Sequence, residues 1–155
     1  MEVLLLAACT LRDGEARVPA SAFRGDRSMA SIALPAGLTS LGEGAFARCS
    51  SMTSIALPAG LTSLGACTFY GYSSMTSIVL PACLTSLGER AFSGCSSMTS
   101  IALPAGLPSL GWHAFDGCSS LTSIELPAGF DDRILRSASV PSGAILHFAL
   151  AGDVH

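Results

Sequence analysis

The sequence predicts a single-domain repeat solenoid, in which similar coils stack along one axis. The main observation is a period of 23 residues that relates several columns of identical residues. One column is isoleucine, at Ile32, Ile55, Ile78, Ile101 and Ile124. A second column is phenylalanine, at Phe23, Phe46, Phe69, Phe92 and Phe115. In such architectures each unit buries its apolar face against the next unit, so the columns predict one continuous core.

Composition agrees with one buried core and excludes several classes of protein. The chain has 155 residues, of which 50% are apolar and 12% are charged, and this size suits one domain. No stretch approaches the roughly 18 uninterrupted apolar residues of a membrane span, so none is predicted. The net charge is -3, and the eight cationic residues are arginines scattered from Arg12 to Arg136. We therefore expect neither nucleic acid nor an acidic membrane surface as a partner.

Each unit opens with a predicted strand. In the unit that begins at Ser51, Met52, Ile55 and Leu57 follow an L-x-x-L-x-L spacing, and the alternation at its end puts Ile55 and Leu57 on the inward face of a short strand. Pro58 has no N–H group for a strand ladder, so it is predicted to end the strand. Gly60, two residues after Pro58, is predicted to let the chain turn towards the next side of the coil.

The remainder of the unit returns to the core twice. Leu61 and Leu64 are predicted to point inward on a second short strand, and Gly65 is predicted to make the next corner. The segment around Thr68 and Phe69 is predicted to form a short helical turn that places the aromatic ring in the interior. The resulting coil contains short parallel strands, corner turns and short helical turns.

The repeat pattern L-x-x-I-x-L-P-x-x-L-x-x-I-G-x-x-A-F-x-x-C resembles that of the BspA-like leucine-rich-repeat family. The resemblance covers residues 18–130, with four complete units in residues 28–119. It implies a leucine-rich-repeat solenoid, a location at the cell surface or outside the cell, adhesion to host proteins and no enzymatic activity.

The two ends of the chain depart from the repeat. We interpret residues 1–17 as a leader or an incomplete cap. Leu6 to Cys9 is similar to a lipoprotein cleavage motif, but Glu2 and the short apolar stretch favour an incomplete repeat strand over a secretory leader. Residues 131–155 are interpreted as a cap or a frayed tail. A fragment of a longer repeat array is the alternative reading of the whole chain.

Comparison of the internal units shows where a partner could bind. Three columns after the Leu-Gly corner vary strongly, and tyrosine, tryptophan and arginine, which are enriched at binding hot spots, occur there. The candidate contact residues are Tyr70, Glu89, Arg90, Trp112, His113 and Asp116. The alternative is that an exposed corner accumulates substitutions without any function.

These features favour a non-catalytic, monomeric protein-binding module of the adhesion or surface-recognition type. A structural spacer is the alternative, and an ice-binding solenoid is a remote third reading, suggested by the outward serine columns. His113, Asp116 and the many serines do not form a recognisable catalytic motif, and no cofactor fingerprint occurs.

The cysteines do not have the spacing of a metal site, and no metal is predicted. Cys49, Cys95 and Cys118 share one repeat column, which predicts buried thiols that pack as small apolar groups. A disulfide between Cys95 and Cys118 is the alternative.

Overall fold

The computed structural model describes residues 2–4, 10–12 and 15–148, and it confirms the predicted solenoid of parallel strands. We name each coil by its phenylalanine. In chain order the elements are β1 (Glu2–Leu4), β2 (Thr10–Arg12), β3 (Glu15–Val18), β4 (Ser31–Ala33), β5 (Leu38–Leu41), β6 (Ser63–Leu64), β7 (Ser86–Leu87), β8 (Ser100–Ala102), β9 (Ser123–Leu126), α1 (Asp132–Ser137) and β10 (Ile145–Phe148).

The predicted second strand is present in three complete units, as β5, β6 and β7, and these join β2 and β3 in one sheet of order β2-β3-β5-β6-β7, whereas residues 107–110 are not a strand. The backbone N–H of Thr62 donates to the carbonyl of Thr39 at 2.9 Å, and that of Thr85 donates to Thr62 at 2.9 Å. In the next coil the same column holds Pro108, which has no N–H group to donate. The sheet accordingly ends at β7.

The predicted first strand of each unit pairs in only part of the stack. β8, β9 and β10 form a parallel sheet, and β1 pairs with β4. Residues 54–57 and 77–80 are not strands in the structure, so the prediction of a strand is wrong for these two coils. Ile55 and Ile78 are nevertheless buried. Apolar packing holds both segments in place where the main chains do not form a ladder.

The segment predicted as a helical turn is a run of consecutive hydrogen-bonded turns. The N–H groups of Cys67, Phe69 and Gly71 donate to carbonyls of the next coil at 2.8 to 2.9 Å. The N–H groups of the residues between them, Thr68 and Tyr70, donate three residues back along their own coil. Alternate residues thus join neighbouring coils and shape the corner.

The phenylalanine column is the centre of the core. The five rings stack nearly parallel, with centroids 5.5 to 6.0 Å apart from one coil to the next. Phe46, Phe69, Phe92 and Phe115 are fully buried. Phe46, Phe69 and Phe92 therefore stack on the rings of both neighbouring coils, and the burial of four of the five rings confirms the predicted place of this column in the interior.

The column of buried cysteines also links neighbouring coils. The thiols of Cys49, Cys95 and Cys118 donate to the phenylalanine carbonyl of the preceding coil, at 3.1, 3.3 and 3.0 Å. All three are free thiols, so the structure does not contain the alternative disulfide. Burial raises the pKa of Cys49 to about 11 and that of Cys118 to about 12.

Tyr72 occupies the cysteine column in the coil of Phe69. Its ring is fully buried and packs edge-on against Phe69, with centroids 5.6 Å apart. Within the described residues its hydroxyl has no hydrogen-bond partner. Burial raises the pKa of this phenol.

The C-terminal segment packs on the last coil. Asp131 caps α1 by accepting a hydrogen bond from the N–H of Ile134 at 3.1 Å, and Leu135 and Ala138 are buried. β10 then pairs in parallel with β9. The described part of this segment thus packs on the repeat coils, and its interpretation as a cap stays a prediction.

The structure also describes strand pairing in part of the N-terminal segment. β2 and β3 pair antiparallel, and β3 joins the sheet through β5. The motif from Leu6 to Cys9 lies outside the described residues. No helix among the described residues is long and apolar enough to span a membrane.

Candidate partner-binding edge

The three variable columns lie side by side because a left-handed residue makes the same corner in every coil. This residue is Ser21, Gly44, Cys67, Arg90 or His113, with φ between 55° and 63°. Its N–H donates to a carbonyl of the following coil at 2.8 Å in all five cases. The corner residues and their neighbours therefore stack along one edge of the solenoid.

Glu89 and Arg90 are neighbours on this edge. Arg90 Nε lies 3.6 Å from Glu89 Oε1, and both side chains are about half exposed. An ion pair with this exposure contributes little to stability, since water screens it. Both groups are therefore available to a partner.

Tyr70 lies one coil earlier and is half-buried. The guanidinium carbon of Arg48 is 5.9 Å from the centroid of its ring, within the range of a cation–π contact. The ring thus provides an apolar surface with a cation on one side.

Tyr70 and Arg90 line a groove of about 470 Å³ that crosses four coils. Its lining residues are Ala20, Ser21, Arg24, Glu43, Ala47, Arg48, Cys67, Tyr70 and Arg90. Three of these residues are arginines. The expectation that the arginines are scattered is therefore wrong for the folded chain, because stacking brings distant units into contact.

Sequence comparison missed Arg24 and Arg48, although signals for both were present. Arg24 belongs to the Tyr70 column, but it precedes the complete units that were compared. Arg48 belongs to a column in which every other member, from Gly25 to Gly117, is glycine. All five members of this column have positive φ, which is 61° for Arg48. An arginine at this position departs from the backbone requirement of the repeat.

Trp112, His113 and Asp116 lie in the coil of Phe115 and do not line the groove. Trp112 is 67% exposed, and its ring meets the His113 ring edge-on at 6.1 Å. His113 Nδ1 is 2.9 Å from Ser139 Oγ, so the C-terminal segment holds this imidazole. Asp116 is exposed. Of the candidate residues, Tyr70 and Arg90 thus lie in the groove, Glu89 lies beside Arg90, and the other three lie in the coil of Phe115.

The edge has polar and aromatic side chains suited to recognition. Within the described residues no group of three His, Cys, Asp or Glu side chains could hold a metal ion. The described hydrogen bond of the His113 imidazole is with Ser139 Oγ. The arrangement offers hydrogen bonding, charge pairing and aromatic contact to a partner.

Comparison with known families identifies the repeat. The profile described as "BspA type Leucine rich repeat region" matches residues 16–136 in six copies. Among curated protein sequences, none matches the chain.

Solved bacterial structures share the fold. A leucine-rich-repeat protein of T. pallidum is 28% identical with a TM-score of 0.80, and the match covers 96% of this chain and 69% of that one. A leucine-rich-repeat protein of Bacteroides ovatus is 28% identical with a TM-score of 0.69, over 84% of this chain and 41% of that one. The pneumococcal vaccine antigen PcpA is 19% identical with a TM-score of 0.69, over 90% of this chain and 37% of that one, and shows the fold alone.

Proposed function

The chain belongs to the BspA-type leucine-rich-repeat family, and from this premise we propose that it is a non-catalytic protein-binding module of the adhesion or surface-recognition type. The proposal places the protein at the cell surface or outside the cell, as the family resemblance implies. The identity of its partner follows from neither the family nor the fold.

The single observation that carries this proposal is the distribution of variable side chains. The isoleucine column is buried in all five coils and the phenylalanine column in four of five, whereas the columns that vary stack on one edge and carry Tyr70, Arg90 and Trp112. Aromatic and arginine side chains are enriched at binding hot spots. Substitutions without function would place such residues around the whole coil.

Capture of extracellular proteins by the immobilised chain tests the proposal. The edge variant combines Tyr70→Ala, Arg90→Gly, Trp112→Ala and His113→Gly. Glycine is used at positions 90 and 113 because Gly44 occupies the same left-handed column, so these changes suit the backbone. A control variant carries alanine at exposed residues of another face, namely Thr76, Val79, Thr99 and Glu125.

A partner that binds the wild type and the control but is lost by the edge variant supports the proposal. Circular dichroism must first show that all three proteins are folded. Capture that is equal for wild type and edge variant, or lost in the control, would move the binding surface elsewhere. The absence of any captured partner would favour the alternative hypothesis that the chain is a structural spacer.

A further inference from the structure

We infer that the groove crossed by Arg24, Arg48 and Arg90 binds an acidic peptide segment of a protein partner, an assignment that rests on the proposed protein-binding function. The chain carries a net charge of -3, yet the groove lining contains three guanidinium groups and one carboxylate, that of Glu43. Guanidinium groups pair with carboxylates through two parallel hydrogen bonds. The groove is thus a local positive site on an acidic protein.

The backbone at two of these arginines points to a role beyond folding. Arg48 and Arg90 have φ of 61° and 57°, a region that disfavours side chains. Glycine occupies the Arg48 column in four other coils, and Gly44 occupies the Arg90 column in one. The fold therefore requires no side chain at position 48 or at position 90. At both positions a residue with a strained backbone presents its guanidinium group to the same groove.

Tyr70 holds one of these cations and adds an apolar wall. Its ring lies 5.9 Å from the Arg48 guanidinium carbon, and Ala47 lines the same groove. An aromatic ring with a cation on one side suits a peptide in which acidic residues alternate with apolar ones.

The length of the groove matches a short extended segment. Three coil steps of 5.5, 6.0 and 5.6 Å separate Phe23 from Phe92, the coils that supply Arg24 and Arg90. This span of about 17 Å corresponds to about five residues of extended chain.

The carboxylates at the groove favour a peptide over a sulfated polysaccharide. Glu43 lies in the lining, and Glu89 Oε1 is 3.6 Å from Arg90 Nε. A chain of uniform negative charge would be repelled by both carboxylates. A peptide can place neutral or hydrogen-bond-donating residues opposite them and its acidic residues opposite the arginines.

Fluorescence anisotropy with a labelled peptide of about eight residues, enough to span the groove in extended form, tests the assignment. In this probe glutamate alternates with serine and one position is phenylalanine. A second peptide replaces every glutamate by glutamine, and a heparin-derived oligosaccharide serves as the polysaccharide probe. Measurements at low and high salt report the electrostatic part of binding.

The matched variants separate the groove from net charge. Arg48→Gly with Arg90→Gly should weaken binding of the glutamate peptide by about tenfold or more, because two charge-assisted contacts are lost. Arg133→Ala with Arg136→Ala removes the same charge from exposed positions of α1 and should leave binding within about twofold. Glu43→Gln should strengthen binding, since it removes a repulsive carboxylate.

The inference would be overturned by equal weakening of binding in both double variants, by binding of the glutamine peptide, or by binding of the oligosaccharide without the glutamate peptide. Capture of a protein partner through Trp112 with no binding of the glutamate peptide would also overturn it, and the proposed function would stand. Peptide binding that depends on Arg48 and Arg90 in a chain that captures no protein would support the groove assignment and contradict the proposed function.

Discussion

The two halves of the solenoid are built from nearly identical units but are joined by different sheets. From the N-terminal side as far as Leu87, the sheet of β3, β5, β6 and β7 connects successive coils. From Ser100 onward, β8, β9 and β10 connect them on another side of the coil. An exact sequence period therefore does not guarantee a uniform strand ladder.

Between the coils of Phe92 and Phe115 lies a seam that no strand pairing crosses within residues 15–148. Pro108 ends the first sheet there, and residues 77–80 do not pair with β8. The seam is joined by turn hydrogen bonds, by the stacked rings of Phe92 and Phe115 at 5.8 Å, and by the thiol of Cys118 on the Phe92 carbonyl at 3.0 Å. The Thr99 N–H also donates to the Thr76 carbonyl across the seam at 3.1 Å. Because no strand ladder joins the two halves, they are candidates for separate cooperative units.

The largest effect should come from removing the ring at the seam. Phe92→Ala should lower the free energy of unfolding by about 3–5 kcal/mol, since a buried aromatic ring is lost and a cavity remains. Urea denaturation followed by circular dichroism measures this change, and separation into two transitions would show that the seam divides the molecule. Trp112→Ala, at a side chain that is 67% exposed, should cost less than about 0.5 kcal/mol. A loss below about 1 kcal/mol for Phe92→Ala would contradict its place in the core.

Alkaline pH should weaken the cysteine links, both the Cys118 link that crosses the seam and those of Cys49 and Cys95 in the N-terminal half. Burial raises the pKa of Cys49 from 9.0 to about 11 and of Cys118 from 9.0 to about 12, and it also raises the pKa of Cys95. Above pH 9 the thiols ionise in the unfolded chain while those in the folded chain stay protonated. Their stabilising contribution is therefore complete below pH 9 and decreases as the pH rises towards 11 to 12.

The free energy of unfolding should decrease by about 1 kcal/mol per pH unit for each buried thiol. Unfolding free energies measured from pH 8 to 11 should show this slope, and Cys118→Ala should reduce it by the contribution of one thiol. Cys83→Ser, at an exposed thiol, serves as the control and should leave the slope unchanged. A slope equal in wild type and Cys118→Ala would mean that this thiol ionises equally in both states.

The smallest effect should come from repairing the ladder at the seam. Pro108→Thr restores the residue found in this column at Thr39, Thr62 and Thr85 and supplies the missing N–H. One added hydrogen bond should stabilise the protein by up to about 1 kcal/mol, partly offset by the greater freedom of the unfolded chain. Hydrogen exchange should show a protected amide at position 108. A freely exchanging amide would show that proline is not what ends this sheet.

Most of the fold could be predicted from the repeat, and the failures have a common physical cause. Burial of Ile55, Phe69 and Leu64 follows from their spacing, since apolar side chains at fixed intervals need the same interior in every coil. The missing strands at residues 54–57 and 77–80 did not follow, because a ladder also requires neighbouring main chains to align. Side-chain pattern carries no information about that alignment.

The candidate site was predicted in part. Comparison of the units identified Tyr70 and Arg90, because their columns vary, and the structure places both in one groove. It did not identify Arg24, which lies in the incomplete first unit. Nor did it identify Arg48, because the comparison followed variable columns and Arg48 is the exception in a column of glycines.

That this protein is a solenoid follows from its amino-acid pattern, because its 23-residue columns can be buried together only if the units stack. The tertiary structure alone decided which charged groups meet. Arg24, Arg48 and Arg90 are far apart along the chain, but coils spaced 5.5 to 6.0 Å apart bring them to one groove. Separation along the axis of the stack, rather than along the sequence, sets the distance over which these charges act together.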